Sequence, residues 1–352
     1  MSWDKIPSDL SHIRVISEEN VSQKERVISY REAIREALYS ALKEDSRVFL
    51  FGEGIDDEGG IFGTTLNLHK EFGSQRVFDT PICENTLTGI AIGASLAGLR
   101  PILVHMRTDF MLVSMDQLVN HAAKWKYMFD GRASVPIVIR AIIGGGWGSA
   151  SQHSQPFQAL FTHIPGLKVV MPSTAYDAKG LLLSSIIDDS PVIFVEHRWL
   201  YDHKDIVPPQ PYFIPLGKGI IRKDGKDITL IADSFMVTLA VQVAKILEEE
   251  DGIDAEIIDI RTIKPLDYDL ILNSIKKTKR AVILDFGYKF CGISSEISSF
   301  LMEEAFVYLK SPISRIALPD VPTPCSHILE KAFYPNINKI VFKVREIFGT
   351  SR

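Results

Sequence analysis

Residues 79–106 read DTPICENTLTGIAIGASLAGLRPILVHM. From Leu87 to Leu96 nearly every residue is small or apolar, with one acid, Glu84, at the mouth of the run. A Gly-Leu-Arg-Pro stop comes after it, and glycine and proline there end a helix. PILVHM is next, a short apolar run bounded by that stop. Such a run reads as a strand buried on both faces, which is the habit of parallel sheets. A helix feeding a doubly buried strand is the repeating unit of an α/β fold.

The same alternation extends outward on both sides. YREAIREALYSALKED spaces its apolar residues three and four apart and predicts an amphipathic helix. RVFLFGE, VPIVIRAIIGG, LKVVMPS and PVIFVEH repeat the strand pattern, and MDQLVNHAAKWKYMF and AYDAKGLLLSSIIDD read as the helices between them. Pro208, Pro209, Pro211 and Pro215 then break the pattern, with Gly217 and Gly219 behind them. Such a stretch suits a linker between domains. Beyond it DITLIADSF, DAEIIDIRT, RAVILDFG and ISRIALPD alternate with helical VTLAVQVAKILEEEDG, DYDLILNSIKKT and SSEISSFLMEEAF. The expected architecture is α/β in two domains, each a mostly parallel sheet with helices on both faces. The boundaries read as an N-terminal arm over 1–28, a first domain over 29–203, a linker over 204–221 and a second domain over 222–352.

Composition narrows the function classes. The chain has 352 residues, 46% hydrophobic and 24% charged, with a formal net charge of −5. No concentrated basic face is evident, which argues against a nucleic-acid partner. No apolar run reaches 18 residues, which argues against a membrane span. Cys83, Cys291 and Cys325 are scattered and odd in number, in neither a metal spacing nor a disulfide framework. The first residues mix acids and bases without an apolar core. A cytoplasmic protein is the expectation.

Three features bear on chemistry, each with a plain structural reading beside it. GGGWGS at 144–149 succeeds a strand but lacks the Lys-Ser/Thr of a nucleotide phosphate loop. Its glycines either make a turn or let backbone approach a ligand or neighbouring chain. His153 in SASQHSQPF lies just after that loop, at a strand's carboxyl end where α/β sheets bind ligands; a lone histidine is otherwise structural. Glu84 either complements a helix N-terminus or is a desolvated carboxyl tuned for proton traffic.

These residues stand in a recognisable pattern. FDTPICENTLTGIAIGASLAGLRPI resembles the segment of thiamine-diphosphate enzymes that activates the cofactor. FGEGI, MDQLVNHAAKWKYM, QHSQPFQALFTHIPGLKVVMPST, DAKGLL, DDSPVIFVEH, DIRTIKPLD and LPDVPTPCS occur in the same order. From about Ile28 onward the chain is similar to the β subunit of the 2-oxo acid dehydrogenase decarboxylase component, of the pyruvate, branched-chain and acetoin type. The resemblance implies a pyrimidine-binding domain with a transketolase C-terminal domain behind it.

It also implies roles. Glu84 matches the glutamate that hydrogen-bonds a ring nitrogen of the cofactor's aminopyrimidine. Phe110 matches the aromatic that packs on the pyrimidine, Ile82 and Met106 match pocket walls, and His153 matches the histidine that handles substrate or the incoming lipoyl group. Ile137, Ser185, Ile186, Asp188 and Ser190 match positions whose backbone oxygens hold potassium in some relatives. The Gly-Asp-Gly motif that holds the diphosphate through magnesium does not occur in the sequence. The resemblance therefore implies a separate α subunit bearing the magnesium, an α2β2 heterotetramer, a 2-oxo acid substrate and a lipoyl acyltransferase core. His105, Arg107 and Thr108 depart from the more apolar or aromatic residues usual there. That leaves the substrate open, and with it the alternative of half of a split transketolase-like or synthase-like carboligating enzyme.

Overall fold

The structure, a computed structural model, describes residues 26–146 and 148–349. Most of the arm expected over 1–28 lies outside the described residues. The chain groups into two compact units. One gathers the chain up to Ile142 with Phe161–Leu216; the other gathers Ile143–Leu160 with the chain from Gly217 onward. The stretch around His153 therefore packs within the second unit, although it precedes the last strands of the first in sequence.

The first unit contains β1 (Val27–Ser29), β2 (Val48–Gly52), β3 (Val77–Asp79), β4 (Arg100–His105), β5 (Val138–Ile143), β6 (Lys168–Val170), β7 (Val192–His197) and β8 (Lys204–Ile206). The order across its sheet is β6-β7-β5-β4-β2-β3. The registers from β3 through β2 and β4 to β5, and from β6 to β7, are parallel. Every residue of β4, β5 and β7 is buried, as their apolar runs predicted, and that burial includes Arg100, His105, Arg140, Glu196 and His197. The helix Tyr30–Glu44 opens on a capping box: Ser29 Oγ accepts from the Glu32 amide, and the Glu32 carboxylate accepts from the Ser29 amide at 2.7 Å. That helix packs its buried face on the helix Ala175–Ile187. β1 pairs antiparallel with β8, closing the start of this unit onto the stretch read as linker. Buried Lys179 fastens the proline run there by donating to the carbonyls of Pro208 and Pro209 at 2.6 and 3.1 Å.

The core of this unit also holds a buried ion pair. Arg140 donates to Glu196 through Nε at 2.6 Å and Nη2 at 3.0 Å, and Nη2 also reaches Thr64 Oγ1 at 2.9 Å. Tyr201 donates its hydroxyl to the same carboxylate at 2.9 Å. The helix expected over 115–129 is not one regular α-helix. Residues Gln117–Ala122 form a π-helical turn before α-helical Ala123–Met128; such turns interrupt helices at single places and leave the apolar spacing readable.

The second unit contains β9 (Ile220–Lys223), β10 (Ile228–Ala232), β11 (Ala255–Asp259), β12 (Thr262–Lys264), β13 (Ala281–Tyr288) and β14 (Ser314–Leu318). Its sheet runs β14-β13-β10-β11-β9, with β9 antiparallel at one edge and the other pairs parallel. Asp267 and Asn336 cap the helices Tyr268–Thr278 and Ile337–Phe348 with side-chain oxygens. Among the described residues no helix is long and apolar enough to cross a membrane.

Candidate active site

The carboxyl ends of β2 and β3 bring three acids together in the first unit. β2 ends on Gly52, at φ +139°, where a Cβ would lie 2.3 Å from the Val104 carbonyl oxygen of the neighbouring strand. Only glycine fits that approach, and the next residue is Glu53. β3 ends on Asp79, whose Oδ1 accepts from the Ile55 amide at 3.1 Å and so fixes the loop leaving β2. Five residues on, Glu84 begins the helix Glu84–Leu96.

Both glutamates are 8% exposed. Burial pushes the Glu53 carboxyl up to about 7, and the negative charges of Glu84 and Asp79 push the same way. Oε1 of Glu53 makes no hydrogen bond among the described residues. Cys83, at the N-cap of the Glu84 helix, makes no side-chain cap hydrogen bond.

The residues beside Glu84 come from its own helix, from β4 and from the short helix after β4. Thr88, one turn beyond Glu84, donates its hydroxyl to the Glu84 carbonyl at 2.8 Å. Its remaining lone pair faces Nε2 of His105 at 3.3 Å, which assigns the imidazole hydrogen to Nε2. Burial lowers the His105 pKa to about 4, so the ring is neutral, and its Nδ1 has no partner among the described residues. Met106 is the next residue, its sulfur 3.8 Å from where a side chain at Gly54 would begin. Phe110 lies on the short helix Thr108–Met111. Met106 and Phe110 are half-buried, and Ile82 is 79% exposed. Glu84, Ile82, Met106 and Phe110 thus all sit at the carboxyl-end side of one parallel sheet, where such sheets bind ligands.

His153 lies in the second unit, exposed, in the loop between β5 and the short helix Gln158–Thr162. The five backbone positions lie elsewhere in the first unit. The Ile137 carbonyl accepts from the Val192 amide. The Ile186 and Asp188 carbonyls accept from Nη1 of Arg100 at 3.0 and 3.1 Å. Ser185 donates its hydroxyl back to the Leu181 carbonyl, and the Ser190 amide donates to the Asp188 carboxylate. Among the described residues no cluster of three or more His, Cys, Asp or Glu side chains has a metal-binding arrangement.

Comparison with known proteins gives this geometry a family. The model of the transketolase pyrimidine binding domain matches residues 26–204, and that of the transketolase C-terminal domain matches residues 217–340. The acetoin:2,6-dichlorophenolindophenol oxidoreductase subunit beta of Bacillus subtilis (strain 168) is 44% identical over 336 residues, covering 92% of this chain and 98% of that one. The chain belongs to the transketolase-like β subunits of the 2-oxo acid dehydrogenases. The pyruvate dehydrogenase E1 component subunit beta of Rickettsia felis is 43% identical over 320 residues, and the 2-oxoisovalerate dehydrogenase subunit beta of Bacillus subtilis is 41% identical over 323. Each alignment covers 91% of this chain and 98% of the relative. A solved split-gene transketolase, described as an inactive β4 tetramer, superposes with a TM-score of 0.75 at 23% identity, over 92% of this chain and 99% of that one. That likeness shows the shared fold. For a β subunit of this family thiamine diphosphate is the implied cofactor.

Glu53 and His105 were not among the site residues expected from sequence. Glu53 does carry a signal: an acid between two glycines directly after an apolar strand marks a charged group at a strand's carboxyl end. Sequence marks His105 only as a departure from the residues usual there; the packing of the helix Glu84–Leu96 on β4 is what shows its ring buried against Thr88.

Proposed function

We propose that this β subunit supplies the pyrimidine half of a thiamine-diphosphate site and, with an α subunit, decarboxylates a 2-oxo acid and passes the acyl unit to a lipoyl group. The observation that carries this reading is Glu84, a buried carboxylate at the first turn of an apolar helix, flanked by Glu53 and Asp79. A carboxylate taken out of water needs a compensating partner. A nitrogen heterocycle that accepts or shares a proton meets that need, and the aminopyrimidine of the cofactor is one. When bound, the cofactor supplies a nucleophilic carbon and an electron sink for decarboxylation.

The chain's own residues then have definite tasks. Glu84 holds a proton at the pyrimidine ring nitrogen, where low dielectric makes the shared hydrogen bond strong. Glu53, with its pKa near 7, spends much of its time protonated at neutral pH and so limits the negative charge beside Glu84. Met106 and Phe110 wall the ring and exclude water, with Ile82 at the open side. His153 handles the substrate or the incoming lipoyl group from its exposed loop.

We assign magnesium to the α subunit, since the sequence has no Gly-Asp-Gly motif, and take the assembly to be an α2β2 heterotetramer that docks on a lipoyl acyltransferase core in the cytoplasm. Potassium enters no step. An ion at Ile137, Ser185, Ile186, Asp188 and Ser190 would have to share the Ile186 and Asp188 oxygens with the Arg100 guanidinium. Co-purification with the α subunit, and then a panel of 2-oxo acids with a dye acceptor, tests the reading. Decarboxylation is expected only in the mixture. Tight, magnesium-dependent binding of thiamine diphosphate by the isolated chain would overturn the half-site assignment, and turnover only with a sugar or aldehyde acceptor would favour a split transketolase.

A further inference from the structure

The carboxyl ends of β10 and β13 hold two acids side by side. The strands are parallel neighbours with Ala232 opposite Leu284, so Asp233 and Asp285 are the next pair in register. The Asp233 amide donates to the Leu284 carbonyl at 3.4 Å and carries that register past the end of β10. In the order of the sheet β11 lies on one side of this pair of strands and β14 on the other. The chain leaves β10 for β11 and β13 for β14, and doubly wound sheets open a crevice where connections part in this way. Here the acids fill it: Asp233 is 2% exposed and Asp285 1%.

Each carboxyl fastens a chain segment through an amide. Asp233 Oδ1 accepts from the Phe286 amide at 3.1 Å, and Asp285 Oδ2 accepts from the Ser294 amide at 2.9 Å. Ser294 lies in the first turn of the helix Ile293–Glu304. Asp233 is the N-cap of the helix Ser234–Ile246, yet its side chain makes no cap hydrogen bond there; it reaches β13 instead. Ser234, the first residue of that helix, has φ +43°, a conformation that a non-glycine residue keeps only where its surroundings hold it. Two glycines leave room for the Asp285 carboxylate. A side chain at Gly287 would begin 2.7 Å from its Oδ1, and one at Gly292 would begin 2.8 Å from its Oδ2.

The two acids hydrogen-bond each other through their side chains. Ionised carboxylates only accept, and Asp285 Oδ1 has no N–H or hydroxyl donor among the described residues. The bond between the acids therefore needs a proton. Asp233 carries it, because burial and the Asp285 charge push its carboxyl well above the ordinary range. The surrounding charges do not replace that proton. Asp259, at the end of β11, pushes Asp233 the same way, and its own carboxylate is held by Arg222 of β9 at 2.7 Å. Arg315 of β14 donates to the Lys289 carbonyl and the Ser295 hydroxyl. Lys245 and Glu296, on the two helices, are exposed, as is Lys289 after β13. Gln158 brings a neutral amide over Gly287, and Glu330 lies over Gly145.

We propose that Asp233 and Asp285 form a proton-sharing acid pair, a latch that ties the first turns of the helices Ser234–Ile246 and Ile293–Glu304 to the second sheet and loosens as pH rises. Loss of the proton would leave two like charges in contact away from water. Asp233 holds its proton more tightly folded than at the ordinary value of 3.8. The stability that the pair contributes is therefore full below that value and is lost as pH rises through the folded one.

The test compares the full-length chain with Asp233→Asn between pH 5 and pH 8, by denaturant melts and by backbone hydrogen exchange. Asn at this position donates to Asp285 without a titrating proton and still accepts from the Phe286 amide. One proton of difference changes a ratio of unfolding constants about tenfold per pH unit. The unfolding constant of the parent, divided by that of the variant, should rise by that factor. Local opening at the Phe286 and Ser294 amides should follow the same ratio. A ratio that stays flat with pH would overturn the proposal, as would opening at those two amides that ignores it. Should Asp233→Asn not fold, Asp285→Asn takes its place, since its amide donates to an ionised Asp233 and the same slope is expected. Infrared spectra need no variant: at pH 8, above the value of about 7 for Glu53, the parent should still show the band of a protonated carboxyl. Its absence would also overturn the latch.

Discussion

Nε2 of His105 faces Oγ1 of Thr88 at 3.3 Å, inside a core where the imidazole has no contact with solvent. Thr88 passes this contact on to the Glu84 carbonyl, so the first turn of the Glu84 helix is pinned to the end of β4. Thr88→Val keeps the shape and removes the hydroxyl. It leaves a buried N–H unsatisfied, which costs about 1–3 kcal/mol. Chemical denaturation of the isolated chain should show that loss, and no loss would mean that the contact is incidental.

His105 also predicts the acid side of the stability curve. Its pKa falls from 6.5 to about 4 on folding, and that of buried His197 to about 3. Between those values and 6.5 the unfolded chain binds protons that the folded chain refuses. Stability therefore declines as pH falls from 6.5 toward 4. Melting temperature measured across that range should drop, and replacing His105 with Asn should flatten part of the slope.

Glu53 makes the opposite prediction. Its carboxyl titrates near 7 when folded and at 4.5 ordinarily, so here the folded chain holds the extra proton. Stability then declines as pH rises from 4.5 through about 7. Glu53→Gln removes an acid that burial and two neighbouring charges oppose. The variant should melt higher than the parent at pH 8 and close to it at pH 5; a variant less stable at both would mean that Glu53 is paired in a way the static geometry does not show.

Glu84→Gln keeps size and hydrogen bonding but cannot share a proton. In the assembled enzyme, turnover should fall by at least ~10²-fold, the usual weight of a proton-handling group. The melting temperature of the isolated chain should stay within a few degrees of the parent, since a near-isosteric change at a helix mouth creates neither a cavity nor a buried charge. Turnover near the parent's would return Glu84 to the role of a helix-terminal acid.

The buried Arg140–Glu196 pair should behave as a unit. Removing one partner, as in Arg140→Met, strands a charge in the core and costs about 3–5 kcal/mol. The double variant Arg140→Met/Glu196→Leu should recover much of that loss in denaturant melts, because no uncompensated charge remains.

How much of this was legible in the sequence depends on how local the cause is. The apolar runs of β4, β5 and β7 announced themselves because burial on both faces leaves no polar alternation to obscure them. The capping box at Ser29 and Glu32 lies within four residues and needs nothing distant. Glu84 could be placed at a helix mouth from its own neighbours. By contrast β3 and β8 are three residues each and polar in part, so only their partners make them strands. The pKa of Glu53 depends on Asp79 and Glu84, which lie 26 and 31 positions away in the chain. Sequence by itself determined the α/β alternation and the acid at the helix mouth, because periodicity and helix-terminal chemistry act within a turn or a strand. Which acid is pushed up toward neutrality and which carbonyls Arg100 occupies were decided only by the tertiary structure, because electrostatics and packing act through space between residues that the chain keeps apart.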